Sequence, residues 1–139
     1  MGVDASLVGL RHNATQRVDE SLTVPQVSDH FAGFRDMPPV FATAYLVGFI
    51  EATCIEALQP WLAEGQGTVG IHVDVSHIAA TPVGMTVTAE VELIEVAGRS
   101  LGFRVSVRDE VDLICEGEYR RALIERERFM ARVNGKAGG

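Results

Sequence analysis

Residues Phe41–Leu58, with the sequence FATAYLVGFIEATCIEAL, form an almost unbroken apolar stretch. It contains no proline and no alternation of apolar and polar positions, and it is longer than an ordinary strand, so it is typical of a helix. Pro60, Gly65 and Gly67 follow and provide the signal that ends the helix. Because apolar residues occur on all sides, we expect a central helix that is buried on most of its surface.

Segments with a period of two flank this helix. After Gly67, apolar and polar residues alternate over residues 71–77, 87–93, 101–107 and 111–124. A weaker alternation before the helix predicts a first strand over residues 14–24, ended by Pro25. Short connections between the later strands indicate antiparallel neighbours. The sequence therefore predicts an α+β fold in which one antiparallel sheet curls around the helix, and the open sheet edges predict pairing of two copies.

The size and charge of the chain limit its organisation and its partners. With 139 residues, of which 47% are hydrophobic and 22% charged, we expect one domain over residues 1–139, with flexible ends at 1–13 and 134–139. A net charge of −7 argues against nucleic acid as a partner, because nucleic-acid affinity comes largely from lysine and arginine.

The cysteines and the N-terminal segment predict a cytoplasmic protein. Cys54 and Cys115 lie within apolar segments, where we expect free thiols. The segment MGVDASLVGL lacks the basic start and long apolar run of a secretory signal. Glu51 interrupts the best candidate for a membrane span, so we expect no membrane partner.

Glu51 is the polar exception in the apolar part of the helix. Its helical neighbours are apolar or small: Val47, Gly48, Cys54 and Ile55. A carboxylate in such surroundings is costly to ionise and is suited to general acid–base catalysis. An equally open alternative is that Glu51 reaches solvent or pairs with an arginine.

His77 is a second exception, on the sheet. Strict alternation places it on the face of Ile71, Val73 and Val75, which should contact the helix. Taken alone, His77 could be a core histidine bonded to the backbone. Two polar groups on facing apolar surfaces instead predict one shared site.

Arg121 and Thr43 are further candidates. Arg121 shares a strand face with apolar residues, and its alternative role is as an ordinary partner of a nearby acid. Thr43 begins the helix near amides that favour negative charge, although such a threonine can simply be a cap. Along one straight helix, Thr43 and Glu51 lie about 12 Å apart. Either Thr43 lies before the first turn and folds back, or the site is assembled between two chains.

Other kinds of site are not indicated. His72 and Asp74 lack a third ligand at a suitable spacing, so we predict no metal site. The sequence also lacks a phosphate-binding glycine pattern, a nucleophile elbow and a CxxC pair.

Three segments resemble the hotdog-fold thioesterases of the fluoroacetyl-CoA thioesterase type. They are PPVFATAYLVGFIEATC, GTVGIHVDVSHIAATPVGMTVTAEVELIEVAGRSLGFRVSV and EGEYRRALIERERF, and the resemblance covers residues 31–133. The FAT motif, an acid eight residues after its threonine, and SHIAATPVGMTVT together carry it. The resemblance implies a hotdog fold, in which a sheet wraps around a central helix, and a homodimer with active sites at its interface.

The resemblance also implies roles for individual residues. The catalytic set falls on Thr43, Glu51 and His77. Substrate-binding positions fall on Gly70, at the start of the first long strand, and on Arg121, near the acyl group.

The acyl pocket is expected in the loop before the helix. Phe34 matches the first of two lid phenylalanines of the family, whereas Met37 stands where the second would be. Together with Val40, these residues suggest a pocket for a short acyl group.

The resemblance therefore implies hydrolysis of a short-chain acyl-CoA thioester to the free acid and CoA. We expect no cofactor, since CoA enters as part of the substrate. The alternative is a non-catalytic hotdog module that binds acyl-CoA or a small hydrophobic ligand. The sequence leaves open both the acyl group and the choice between CoA and acyl carrier protein.

Overall fold

The fold consists of an antiparallel sheet that curves around one long helix. The computed structural model describes residues 2–138. Its main elements are β1 (Arg11–Arg17), α1 (Thr43–Leu58), β2 (Gln66–Val75), β3 (Thr86–Ala97), β4 (Ser100–Arg108), β5 (Leu113–Glu125) and α2 (Arg126–Lys136). The five strands are ordered β1-β3-β4-β5-β2, so β1 and β2 form the edges. The predicted α+β hotdog architecture is confirmed.

One side of α1 forms the centre of the core. Leu46, Ile50, Cys54 and Leu58 follow each other at intervals of four residues and are at most 1% exposed. The opposite side is open in the single chain, where Gly48, Ala52 and Ile55 are exposed. The expectation that the helix is buried on most sides is therefore wrong for one protomer, because the sheet covers only one of its sides.

Alternation in the later strands places their apolar residues against α1. β3 buries Val87, Ala89, Val91 and Leu93, while β4 buries Leu101, Phe103, Val105 and Val107. Register shifts occur between β3 and β4 near residue 94 and between β4 and β5 near residue 108. Bulges of this kind increase the local twist, which bends the sheet around the helix.

The first strand lies earlier than predicted. β1 covers Arg11–Arg17, so only residues 14–17 of the predicted strand 14–24 belong to it. Short 3-10 turns follow at Glu20–Leu22 and Val24–Gln26. The carboxylate of Asp19 accepts a hydrogen bond from the Ser21 amide, which favours a turn over a continued strand.

Parts of both segments expected to be flexible form regular structure. Residues 11–13 belong to β1, and Val3, Leu7 and Leu10 pack against the core. At the other end, α2 extends to Lys136, a helix that the sequence reading did not predict. None of the helices in residues 2–138 is both long and apolar enough to cross a bilayer.

Candidate active site

Thr43 and His77 form a direct contact at the N-terminus of α1. The Thr43 hydroxyl lies 2.7 Å from His77 Nδ1. Thr43 is the first residue of α1, whereas the capping position belongs to Ala42, which offers no side-chain hydrogen bond. Thr43 is therefore not a helix cap, and its hydroxyl is engaged by the imidazole.

His77 owes its position to the segment that follows β2. The strand ends at Val75, and a register shift between Gly70 and His72 interrupts the alternation used to assign its face. Backbone amides on either side fix the segment to β5: Ser76 N–H donates to the Glu116 carbonyl and Ile78 N–H donates to the Ile114 carbonyl. His77 thus reaches Thr43 without being part of the strand.

The surroundings of His77 favour its neutral imidazole over the charged form. Burial lowers the pKa of His77 below its ordinary value of 6.5. Its Nε2 atom is buried and has no hydrogen-bond partner among residues 2–138. Because an unpartnered buried polar atom is costly, this nitrogen is an unsatisfied position in the single chain.

Glu51 belongs to a second cluster, formed with two residues of β5. Its Oε2 atom accepts hydrogen bonds from the Tyr119 hydroxyl at 2.6 Å and from Arg121 Nη1 at 2.9 Å. The Glu51 side chain is 43% exposed in the single chain. Of the alternatives open at the sequence level, pairing with an arginine is correct, and the apolar surroundings expected for this carboxylate are not found.

Arg121 is almost fully buried and faces Glu51. Its side chain is 5% exposed. Besides Glu51, it donates from Nε to the Thr68 hydroxyl and from Nη2 to the Thr68 carbonyl, both at 2.8 Å, and from Nη1 to the Tyr119 hydroxyl at 2.5 Å. With four hydrogen bonds inside the chain, Arg121 acts first as an anchor for Glu51. A direct contact to an acyl group stays a prediction.

Gly70 provides the space that this cluster needs. It lies opposite Arg121 in the β2–β5 register, at the β-bulge. A Cβ atom at Gly70 would lie 2.6 Å from Glu51 Oε2 and 2.8 Å from the Tyr119 hydroxyl. Both distances are too short for a non-bonded contact. A larger residue at this position would make the Glu51 carboxylate or the Tyr119 hydroxyl shift, because both pack directly on the backbone here.

The variant Gly70→Ala is therefore expected to displace the Glu51 carboxylate. Overpacking in a core costs about 1–3 kcal/mol of folding free energy, and the cost here should lie near the lower end because the Glu51 carboxylate ends a flexible, partly exposed side chain. Misplacement of a reacting group by about 1 Å can lower a rate roughly 100-fold. Thermal denaturation and steady-state kinetics would measure the two effects. The matched control is Gly135→Ala in α2, where a Cβ would meet nothing within 4 Å. An unchanged rate in Gly70→Ala would contradict the assigned role of Gly70.

The two clusters do not meet within one chain. Thr43 and Glu51 both lie in α1, eight residues apart, which corresponds to about 12 Å along the helix axis. Among residues 2–138, no hydrogen bond joins the Thr43–His77 pair to the Glu51 cluster. One protomer therefore presents two parts of the predicted catalytic set, each well formed.

The residues predicted for the acyl pocket lie in the loop that leads into α1. Phe34 is half-buried and packs edge to face against Phe31, with ring centroids 6.1 Å apart. Met37 is 47% exposed. Val40 forms a β-bridge with Pro82, three residues before the helix begins. Their contact with an acyl group stays a prediction.

Two clefts lie elsewhere on the described part of the chain. One of about 810 Å³ lies on the outer sheet face between Arg11 and Glu118, and another of similar volume lies beside Pro39 and Val83. Thr43, Glu51 and His77 line neither cleft. Within residues 2–138, no three histidine, cysteine, aspartate or glutamate side chains are grouped as metal ligands.

Tyr119 is the site residue that sequence reasoning missed. It lies two residues before Arg121 on β5, so the two side chains share the inner face of the sheet. A tyrosine at an inward position can be read simply as core. One signal could have found it: Tyr119 lies two positions from Arg121, on the same strand face, and this face lies opposite the helix that carries Glu51.

Comparison with known proteins identifies relatives that share this whole architecture. Residues 18–127 match the family model of the fluoroacetyl-CoA-specific thioesterase, FlK. The fluoroacetyl-CoA thioesterase of Streptantibioticus cattleyicolor is 41% identical over 133 residues, covering 96% of each protein.

Solved structures agree with the sequence matches. A structure of the fluoroacetyl-CoA thioesterase FlK superimposes with a TM-score of 0.91, at 41% identity, over 96% of this chain and 98% of that chain. A variant of FlK in complex with acetyl-CoA gives a TM-score of 0.89 at 41% identity, over 93% and 97%. A thioesterase superfamily member from Thermus thermophilus shares the fold at 23% identity, with a TM-score of 0.85 over 94% and 93%. The resemblance seen in the sequence is confirmed, and the chain belongs to the fluoroacetyl-CoA-specific thioesterase family.

Proposed function

We propose that this thioester hydrolase cleaves short-chain acyl-CoA to the free acid and CoA. The observation that carries the proposal is the Thr43–His77 contact of 2.7 Å at the N-terminus of α1, in a chain 41% identical to a fluoroacetyl-CoA thioesterase over 96% of its length. The comparisons do not favour a non-catalytic binding module, because the relatives with high identity are named as thioesterases.

The start of α1 is suited to polarising a thioester carbonyl. The first amides of a helix have no partner within the helix, and the helix dipole favours negative charge there. Ala42 leaves these amides without a side-chain cap. A thioester carbonyl placed here would develop its negative charge beside free N–H donors, which is the principle of an oxyanion hole.

The Thr43–His77 pair supplies a hydroxyl and a base at the same place. A neutral imidazole can accept a proton, and burial keeps the pKa of His77 below its ordinary value. The imidazole takes the proton of the Thr43 hydroxyl as that oxygen attacks the carbonyl, and it gives this proton to the departing sulfur of CoA. The acyl group is then held as an ester on Thr43, which water hydrolyses, and a proton of that water returns to the Thr43 oxygen.

Glu51 supplies a carboxylate with a fixed orientation. Arg121 compensates its negative charge from a buried position, while the side chain stays 43% exposed and so remains accessible. Such a carboxylate can accept a proton from an attacking water. We assign Glu51 to water activation, and the Thr43–His77 pair to the carbonyl and the leaving group.

A homodimer would join the two parts of the site. Edge strand β2 pairs only with β5 among the described strands, and it exposes Ile71 (52%) and Val73 (48%). Unpaired strand edges with apolar side chains favour pairing with another chain. The helix α1 also has an exposed side, which includes Ile55, and it carries one residue of each cluster, Thr43 and Glu51. We propose that each active site combines residues of two protomers, which sedimentation analysis at twice the 15.0 kDa chain mass would support.

Phe34, Met37 and Val40 are proposed to line the acyl pocket. They belong to the segment that leads into the start of α1, the end of the helix where the carbonyl is proposed to bind. Met37 is more flexible than a phenylalanine and adapts to different shapes. We therefore propose a short acyl group without strict selection for fluoroacetyl.

Two further expectations remain proposals. The reaction as described needs no cofactor, since CoA enters with the substrate. Cys54 and Cys115 are both free thiols, which supports a reducing compartment such as the cytoplasm.

The test is a panel of acetyl-, fluoroacetyl-, propionyl-, butyryl- and octanoyl-CoA, followed by release of free thiol. We expect turnover of the shortest members and little with the octanoyl compound. Calorimetry on the same panel measures binding separately. Binding of a short acyl-CoA without thiol release would overturn the proposal and favour a non-catalytic module.

A further inference from the structure

We propose that Tyr119 is a positioning residue for Glu51, whose hydroxyl holds one carboxylate oxygen so that the other is presented to the substrate. This inference rests on the proposed function, because it assigns a role within the same reaction. Tyr119 itself is not expected to contact the acyl-CoA.

The geometry of the cluster fixes the carboxylate at one atom. The Tyr119 hydroxyl donates to Glu51 Oε2 at 2.6 Å and accepts from Arg121 Nη1 at 2.5 Å, while Nη1 also donates to Oε2 at 2.9 Å. Phenol, guanidinium and carboxylate thus close a ring of three hydrogen bonds. Oε1 of Glu51 accepts no hydrogen bond from residues 2–138. It is therefore the oxygen available to take a proton from water.

Tyr119 is a rigid point of attachment. Its side chain is 1% exposed, and its backbone is paired on both sides, with Phe103 of β4 and with Val73 of β2. A tyrosine ring has few rotatable bonds, and this one is packed in the core. Burial, followed by the hydrogen bond to Glu51, raises the pKa of Tyr119. The phenol therefore stays protonated and remains a donor at working pH.

Arg121 alone would leave the carboxylate less defined. It contributes one hydrogen bond to Glu51, through Nη1 only, because Nε and Nη2 are both bonded to Thr68. A glutamate side chain that is 43% exposed has several rotamers available, and one contact does not select a single one. The second donor, Tyr119, supplies the missing constraint.

The test is Tyr119→Phe, which removes only the hydroxyl. We expect kcat for the best acyl-CoA to fall roughly 10-fold to 100-fold with little change in KM, since an orientation effect acts on the chemical step. The matched control is Tyr45→Phe, which removes a hydroxyl 3.4 Å from the Gln26 carbonyl. The control should retain the wild-type kcat, and thermal denaturation establishes that both variants fold.

A double-mutant cycle separates positioning from a general structural effect. In a Glu51→Gln background, Tyr119→Phe should change the residual rate by less than about 2-fold, because a residue acting through Glu51 loses its effect when the carboxylate is gone. An equal loss in both backgrounds, or a wild-type rate in Tyr119→Phe, would overturn the proposal.

Crystal structures give a readout independent of activity. In Tyr119→Phe we expect the Glu51 carboxylate to move off its Arg121 contact or to occupy more than one rotamer. An unchanged, single Glu51 conformer would overturn the positioning role. A wild-type protein that hydrolyses no acyl-CoA would instead refute the proposed function, and the crystallographic comparison would still decide the role of Tyr119.

Discussion

Replacing Glu51 by glutamine is expected to lower kcat for short acyl-CoA substrates by about 100-fold to 10,000-fold, the range for loss of a general base. Glutamine has nearly the same size and its carbonyl can still accept hydrogen bonds from Tyr119 and Arg121, but it cannot take a proton from water. KM should change little, since Glu51 is not assigned to substrate binding. Steady-state thiol release with saturating acyl-CoA measures the effect.

The control for this variant is Glu56→Gln, on the same helix. The Glu56 side chain is 59% exposed, and its Oε1 atom lies 3.5 Å from Nε2 of His12 on β1. An exposed polar contact of this kind contributes little, so the control should behave like the wild type. Equal rates for both variants would show that the Glu51 carboxylate is not used in the reaction.

The second large effect is expected for His77→Ala. This change removes the base that contacts Thr43, and we expect a loss of about 100-fold to 10,000-fold in kcat.

The decrease of kcat at acidic pH, which reports protonation of His77, should also change in this variant. Because burial lowers the pKa of His77 below 6.5, the neutral imidazole persists below pH 6.5, and the wild-type rate should be retained there before it falls. A pH–rate profile of both proteins tests this, since the variant should not show the decrease in rate that protonation of His77 causes.

The comparison for His77→Ala is His12→Ala, at the opposite edge of the sheet. His12 is paired with Val91 in the β1–β3 register and takes no part in the site. We expect its rate and pH profile to match those of the wild type. A His77→Ala protein that melts like the wild type and retains full activity would remove His77 from the mechanism.

The sequence predicts the main elements of this fold because their patterns are strong. The apolar stretch before Gln59 has no strand period, and α1 occupies it from Thr43 to Leu58. Where a local side chain competes with the pattern, prediction is less accurate. The Asp19 carboxylate turns the chain at Ser21, and the strand expected through Val24 ends at Arg17.

The sequence points to some candidate site residues but not to their geometry. Polar exceptions on apolar faces point to Glu51 and His77, and both take part in specific contacts. The strand period could not show that a bulge follows Gly70 and that β2 stops before His77. Nor could it show that Arg121 is used within the chain, since that depends on a contact over 70 residues of sequence.

The eight-residue spacing along α1 fixes the distance between the two catalytic candidates that the helix carries. Thr43 and Glu51 lie in one rigid helix, so their separation and relative direction depend only on how many residues lie between them. Inserting or deleting one residue would shift Glu51 by about 1.5 Å and rotate it by about 100° around the axis, away from Tyr119 and Arg121. The segment can therefore vary in composition far more readily than in length.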